Sequence, residues 1–289
     1  MKLLVNKWAV AFINTKGELF NVTSEYLSID DNYKNYIADP FLFDYQENTY
    51  LFVELFDYKI GRGTIAYAKY YKKNNSFGRI REIISENYHL SYPLVFDYKG
   101  EIYLMPEANE SNSLYIYKAT SFPEKWEKHA VLLENIKYVD TTPFVYNSQF
   151  YAITKDNSTP QAPMFLLKID PEKWSVVEKK EITDDVSFSR PGGKVFQKDG
   201  KYYMVTQDCE ADYGAALNIL SFTIDEDMNM SYHLEKKITP TEVSVKGVDR
   251  ITGIHTYNFT EELEVIDYKR PQFAFYRRFC KLINRLKGK

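Results

Sequence analysis

Cysteine is almost missing: Cys209 and Cys280 are the only two in 289 residues. That excludes a disulfide framework and offers no zinc-type spacing. Long apolar runs are missing too. None approaches the roughly 18 residues needed to span a bilayer, and the opening MKLLVNKWAVAF is interrupted by Lys7 before it can read as a signal peptide. The expected setting is therefore cytoplasmic. A basic surplus is also absent, with 37 Lys/Arg against 40 Asp/Glu. Eight of those bases, and no acid, fall in 269–289, so the rest of the chain carries 29 against 40, or −11. An acidic body of this kind argues against nucleic-acid binding, whose backbone contacts need a basic footprint.

What the chain does have is aromatic residues: 25 Tyr, 19 Phe and 3 Trp. Together with 44% hydrophobic and 27% charged residues, they exclude disordered, collagen-like and coiled-coil classes and favour pleated surfaces. Self-comparison shows a repeat of proline, a β-rich triplet, a polar turn and a second aromatic strand. It reads Asp39-Pro40-Phe-Leu-Phe43 with Tyr50–Glu54, and Tyr92-Pro93-Leu-Val-Phe96 with Tyr103–Glu107. The next copies are Thr142-Pro143-Phe-Val-Tyr146 with Tyr151–Lys155, and Arg190-Pro191 through Phe196 with Tyr203–Gln207. The prolines are 53, 50 and 48 residues apart.

A period near 50 with several short strands per unit fits a β-propeller blade. Two packed β-sandwiches would not produce an evenly spaced proline-aromatic motif. A fifth, degenerate unit comprises Thr252–Tyr257 and Leu263–Ile266, completed by the N-terminal strand Trp8–Ile13, which closes the ring and removes free sheet edges. The expected fold is an all-β, five-bladed β-propeller over residues 1–268, followed by a basic amphipathic C-terminal helix over 269–289. In that helix Phe275, Phe279, Leu282, Ile283 and Leu286 fall opposite Arg277, Arg278, Lys281, Arg285 and Lys287. Such a helix suits peripheral contact with an anionic membrane at its inner face. It equally suits packing on the acidic body.

Innermost propeller strands converge on one central pocket. The positions beside the motif prolines supply Asp39, Asp140 and Arg190, and the second-strand ends supply Glu54, Glu107 and the pair Gln207-Asp208. His89, Lys194 and His255 complete the polar set. Each also has a plainer reading: aspartates capping turns, glutamates at outward strand ends, Arg190 paired with Asp208, histidines hydrogen-bonded at core or rim. No His/Asp cluster has metal-ligand spacing, and neither a metal nor a cofactor is expected.

These residues resemble glycoside hydrolase family 43. Ala38-Asp39-Pro40 looks like that family's blade-one motif, whose Asp is the general base. Val139-Asp140-Thr-Thr-Pro143 looks like its third-blade Asp, which tunes the acid and orients substrate. The whole chain more fully resembles the N-terminal propeller domain of glucosamine inositolphosphorylceramide transferases and its stand-alone bacterial relatives. The carrying segments are Ile37–Phe43, His89–Pro93, Met105-Pro-Glu107, Ser189–Gly192 and Gln207–Gly214. One departure stands out: the hydrolases' general acid precedes proline in blade four, where this chain reads Ser189-Arg190-Pro191. Glu107 is then the substitute acid, and Arg190 with Lys194 suits the phosphate of a donor.

The resemblance implies a carbohydrate-active enzyme, foremost a glycosyltransferase of bacterial surface-polysaccharide (capsule or O-antigen) assembly. Its partners would be a nucleotide sugar or sugar phosphate and a glycan or lipid-linked glycan acceptor. Asp39, Asp140 and Glu107 would be catalytic; Arg190, Glu54, His89, Gln207, Asp208, Lys194 and His255 would bind substrate. Two alternatives stay open: a glycosidase acting on furanosides or xylosides, and a non-catalytic glycan-binding propeller.

Overall fold

The computed structural model describes residues 4–15, 24–29, 34–273 and 275–286. Its strands form five sheets around a ring, one per blade, paired antiparallel except where Glu25–Ser28 runs parallel to Ser244–Val245 at the edge of the last. Blade one runs outward from Asn35–Tyr45 through Asn48–Asp57 and Arg62–Tyr71 to Arg81–Ile84. Blade two is Ser91–Tyr98, Glu101–Glu107, Ser113–Ser121 and Lys125–Glu134. Blade three is Tyr138–Tyr146, Gln149–Asp156, Met164–Asp170 and Ser175–Thr183. In blade four the inner strand is split into Arg190–Pro191 and Phe196–Lys198, both paired with Lys201–Asp208. Blade five joins the two ends of the chain: Leu263–Phe273 pairs along its length with Leu4–Asn14, and Tyr257–Phe259 lies inside it.

That clasp moves a boundary. Lys269 and Arg270 sit in the last strand, opposite Trp8 and Lys7, so the strand takes residues that the charge pattern placed in the tail. The helix is Phe275–Leu286; Cys280 on it is buried while Phe279, Leu282 and Leu286 are exposed.

The core is divided among the blade interfaces because successive residues of a strand point to opposite faces. In blade one Phe52 packs toward blade two with Leu94 and Leu104, while Leu51 and Val53 pack toward blade five with Val10 and Phe12. In blade five Ala9 and Ala11 turn the other way, onto Val205 and Leu217 of blade four. Both sheet faces are covered, so these strands read as continuous apolar runs.

Each of the first three inner strands is broken by a β-bulge where it crosses the central funnel. The pairing registers skip between Ala38 and Phe41, Ser91 and Leu94, and Val139 and Thr142. The skipped residues Asp39, Tyr92 and Asp140 have φ of 50°, 47° and 51°. This corrects the repeat as aligned on its prolines. Asp140 is the blade-three equivalent of Asp39 and Tyr92, and Thr142 is equivalent to Phe41. The reason is that Pro40 and Pro93 lie inside their bulges whereas Pro143 lies beyond, already paired with Ala152.

Blade four meets blade five backbone to backbone. A Cβ on Gly193 would stand 2.1 Å from the Tyr257 carbonyl oxygen, and neither backbone can retreat without parting the inner strands. Gly193→Ala is expected to cost about 3 kcal/mol, the upper end for overpacking. In a thermal melt that appears as a fall in Tm of roughly 6 °C or more; an unchanged Tm would refute the tight approach.

Candidate functional site

The bulges turn side chains into the funnel, and the residues beside them fix a second ring. Glu54, Glu107, Lys155 and Gln207 pair with Ala38, Ser91, Val139 and Arg190 respectively, one at the same register position in each of blades one to four. The reading of second-strand ends as a set therefore holds geometrically, with Lys155 in blade three.

Asp39 is buried and well supplied with donors. Its Oδ1 lies 3.1 Å from His255 Nε2 and accepts from the Thr256 hydroxyl at 3.0 Å; Oδ2 accepts the Tyr92 N–H at 3.2 Å. A carboxylate has about four lone-pair sites, so one on Oδ2 is left for a ligand. Burial alone would raise its pKa, but the His255 charge and these bonds outweigh it and hold Asp39 below the usual carboxylate value. His255 is itself clamped: its Nδ1 lies 2.6 Å from Asp267 Oδ2, and its ring packs on Trp8 at a 34° tilt with centroids 4.0 Å apart. Burial opposes its charge, yet Asp267 and then Asp39 prevail and push it up to about 10.

Asp140 accepts Arg190 Nε at 2.6 Å and Gln207 Nε2 at 2.9 Å. Glu107 lies alongside, 3.8 Å from Arg190 Nη2 and hydrogen-bonded to Asp140. Burial and then the Asp140 charge raise Glu107 well above the ordinary value, with Arg190 pulling the other way. Burial raises Asp140 as well, against the Arg190 charge, and of the two adjacent carboxyls Glu107 is the more strongly raised. The Arg190 guanidinium also lies 4.9 Å over the Tyr213 ring.

Glu54 and His89 form a separate pair. Gly63 N–H donates to His89 Nδ1 at 2.9 Å, which leaves Nε2 as the protonated nitrogen, 3.5 Å from Glu54 Oε1. Burial lowers the His89 pKa; burial and then the Asp39 charge raise that of Glu54 well above normal.

Two expected residues are elsewhere. Asp208 follows Gln207 on the strand and so faces the opposite way, where it accepts Lys237 Nζ at 2.6 Å; Arg190 pairs with Asp140 instead of Asp208. Lys194 donates to the Phe259 carbonyl in a separate pocket with Leu42, Asp44 and Thr260, where burial brings its pKa down to about 8. It does not join Arg190.

Sequence reasoning missed Asp267, Thr256 and the ring pair Trp8 and Tyr213. Asp267 receives the backbone N–H groups of Asp39, His255 and Thr256, and its one signal was an acid among apolar neighbours on a strand. Among the described residues, Asp39, His255 and Asp267 are the group close enough to share a cation. Both imidazole nitrogens face carboxylates, and this cluster corrects the expectation that no His/Asp group has the spacing for a metal.

The comparisons with known proteins bear on the family and the fold. A family model described as "Glucosamine inositolphosphorylceramide transferase 1, N-terminal" matches residues 21–263. The Arabidopsis thaliana protein "Glucosamine inositolphosphorylceramide transferase 1" is 30% identical over 234 residues, covering 78% of this chain and 30% of that protein. Its Oryza sativa subsp. japonica namesake is 28% identical over 193 residues, 64% of this chain and 26% of its own length. The chain thus spans less than a third of these plant relatives. Among solved structures, the catalytic domain of Coprinopsis cinerea GH62 α-L-arabinofuranosidase superposes with TM-score 0.59 at 10% identity, covering 90% and 96% of the two chains. A thermostable family-43 glycoside hydrolase gives 0.56 at 13%, covering 81% and 88%. At such identities the likeness is one of fold. With most of its length matched by one family model, the chain belongs to the family of the N-terminal domain of glucosamine inositolphosphorylceramide transferase 1.

Proposed function

We propose that the funnel binds a sugar and acts on a glycosyl bond, with Glu107 as general acid and Asp39 as general base. The observation that carries this reading is geometric: two buried carboxyls of neighbouring blades keep opposite company, Glu107 beside the Asp140–Arg190 pair and Asp39 against the His255 ring, the Thr256 hydroxyl and the Tyr92 N–H, surroundings that suit an acid and a base respectively. In the reaction Glu107 gives its proton to the departing oxygen as the C–O bond breaks. An incoming hydroxyl bonds to the anomeric carbon and loses its proton to the open site on Asp39 Oδ2. Arg190, held by Asp140, lies beside the Glu107 carboxylate that forms. Solvent then returns both carboxyls to their starting states.

Membership in a family named for a transferase favours an acceptor hydroxyl over water, and the acceptor proposed is a sugar or lipid-linked glycan, in a glycosyltransferase of surface-polysaccharide assembly. Water in its place gives a glycosidase on furanosides or xylosides; that second reading is favoured by Asp39 and Asp140 occupying equivalent bulges. A phosphorylated donor draws less support, because Arg190 is spent on Asp140 and Lys194 is in another pocket. The same proposal sets the chain in the cytoplasm, peripheral at the inner face of a membrane, with the exposed Phe279, Leu282 and Leu286 of the last helix as the contact.

The test is incubation with aryl glycosides of pentoses and hexoses, with and without acceptor oligosaccharides, followed by phenol release and mass spectrometry. A thermal-shift panel of nucleotide sugars, sugar phosphates and neutral glycans runs alongside. Transfer products support the leading reading, and free sugar supports hydrolysis. Stabilisation by neutral glycans without turnover would leave a binding propeller, and stabilisation by phosphorylated donors alone would overturn the acid role of Glu107.

A further inference from the structure

The loop that follows the second strand of blade four, residues 209–215, carries Tyr213, which is 39% exposed. Single aromatics on a surface are ordinary, but this one is pinned from two sides. Lys269, buried in the last strand of blade five, donates to Asp212 Oδ2 at 2.7 Å and to the Tyr213 carbonyl at 2.9 Å. An ammonium is costly to take out of water, yet this one makes these hydrogen bonds to a surface loop. Ile254 N–H donates to the Gly214 carbonyl at 2.9 Å, and Ala215 N–H reaches the carbonyls of Asp208 and Asp212 at 3.1 Å each. Gly214 has φ of 74°, and a Cβ there would stand 2.8 Å from the Trp8 ring. The loop is therefore fitted closely to blade five. Its ring stands at the rim of the funnel: the Arg190 guanidinium lies 4.9 Å from the centroid, and the rings of His255 and Trp8 meet it at 69° and 79° with centroids 5.0 and 5.9 Å away. The charges that act on its hydroxyl are those of Arg190, Asp140, Asp39 and Glu107, which sets it beside the groups assigned as acid and base.

We infer that Tyr213 is the stacking wall of the funnel, its exposed ring surface packing against the apolar C–H face of a neutral glycosyl unit, and that Lys269 is the residue that positions it. The inference rests on the carbohydrate reading and adds a binding residue and the kind of contact it makes. A sugar ring is polar around its edge and presents C–H groups on its faces, and those groups suit the negative face of an aromatic ring. The contact supplies affinity without any charge on the ligand, while the carboxyls of the funnel are left for the hydroxyls and the reacting bond. A ring already held in place loses little freedom when a ligand arrives. That advantage accounts for a buried lysine tethering an exposed side chain: with the tether cut, the ring would have to be ordered by the sugar itself.

The experiment is isothermal titration of the full chain with xylotetraose, cellotetraose and arabinotetraose, joined to tyrosine nitration by tetranitromethane with and without each sugar and read by peptide mass spectrometry. Tyr71, 49% exposed at the end of the third strand of blade one, is the internal reference. The sugar that binds is expected to shield Tyr213 from nitration and to leave Tyr71 as it was. Tyr213→Ala should weaken that sugar roughly 10- to 100-fold, as truncation of an aromatic anchor does. Tyr213→Phe keeps the ring and should stay within about threefold of wild type. Lys269→Met, which cuts the tether, should weaken binding in the same direction and lose part of the protection. Unchanged binding in Tyr213→Ala, equal losses in the Ala and Phe variants, or nitration of Tyr213 that ignores a bound sugar would each overturn the inference while leaving the carbohydrate reading in place. If none of the three sugars binds wild type, the inference falls together with the function proposed above.

Discussion

Glu107→Gln is expected to cut glycosyl turnover by roughly 10²–10⁴-fold, the span of a lost general acid, and at the same time to make the protein more stable. The amide keeps the shape of the protonated carboxyl and can still donate to Asp140, so the fold has no reason to fail. The stability gain follows from linkage. The Glu107 carboxyl has an ordinary value of 4.5 and is raised well above it in the folded chain. Above pH 4.5 the unfolded chain releases this proton while the native chain retains it, so wild-type stability declines as pH rises toward the folded value. Gln has no proton to lose, and its advantage should grow with pH over that window. Activity has a matching signature: in wild type it falls at high pH as Glu107 ionises, and the variant's small residual rate should lose that limb. Steady-state rates across pH, with urea unfolding of both proteins, provide the check. A variant that is as active as wild type, or equally inactive but less stable, would show Glu107 to be a structural residue.

The ring of blades was legible because it depends on chain-wide repetition. Alternating apolar runs such as Leu51-Phe-Val53 recur at nearly constant spacing, since each blade must present similar surfaces to both neighbours. The equivalence of Glu54 and Glu107 was legible for the same reason. The site itself was less so. A bulge carries one unpaired residue and no strong sequence mark, so Pro143 drew the third repeat two residues out of step. Strand alternation decides that Gln207 faces the funnel and Asp208 faces Lys237, and a sequence with an irregular inner strand in blade four does not reveal that phase. Asp267 and Trp8 meet His255 only because opposite ends of the chain pair in blade five, a contact with no local trace. The blade-four departure was visible as Ser189-Arg190-Pro191, but its consequence was not. Arg190 is the partner of Asp140, whose charge raises Glu107 while the guanidinium itself pulls Glu107 down.

His255→Gln should be the most destabilising polar substitution in the funnel, at about 3–5 kcal/mol, because it strands the buried carboxylates of Asp39 and Asp267 without their cation. The cost should also depend on pH in a defined direction. His255 rises from 6.5 to about 10 on folding, so its contribution is complete below pH 6.5. It diminishes as the unfolded chain alone gives up the proton, and is lost once pH passes about 10. Wild type should therefore weaken steadily from pH 6.5 to 10, while the variant, with no proton to hold, should lose that slope; the two stability curves converge at the alkaline end. A parallel shift, unchanged with pH, would mean that the imidazole is neutral in the fold and that the clamp works by packing against Trp8. The same substitution reaches the chemistry through Asp39. With the imidazolium gone, burial is opposed only by the Thr256 hydroxyl and the Tyr92 N–H, and the carboxyl pKa rises. A base must be ionised to act, so the acidic limb of the rate profile should move to higher pH in His255→Gln, with the alkaline limb set by Glu107 left in place. The separation of the two limbs, measured on the folded fraction of the variant, then shows whether one histidine sets the charge of the base as well as the strength of the blade-five closure.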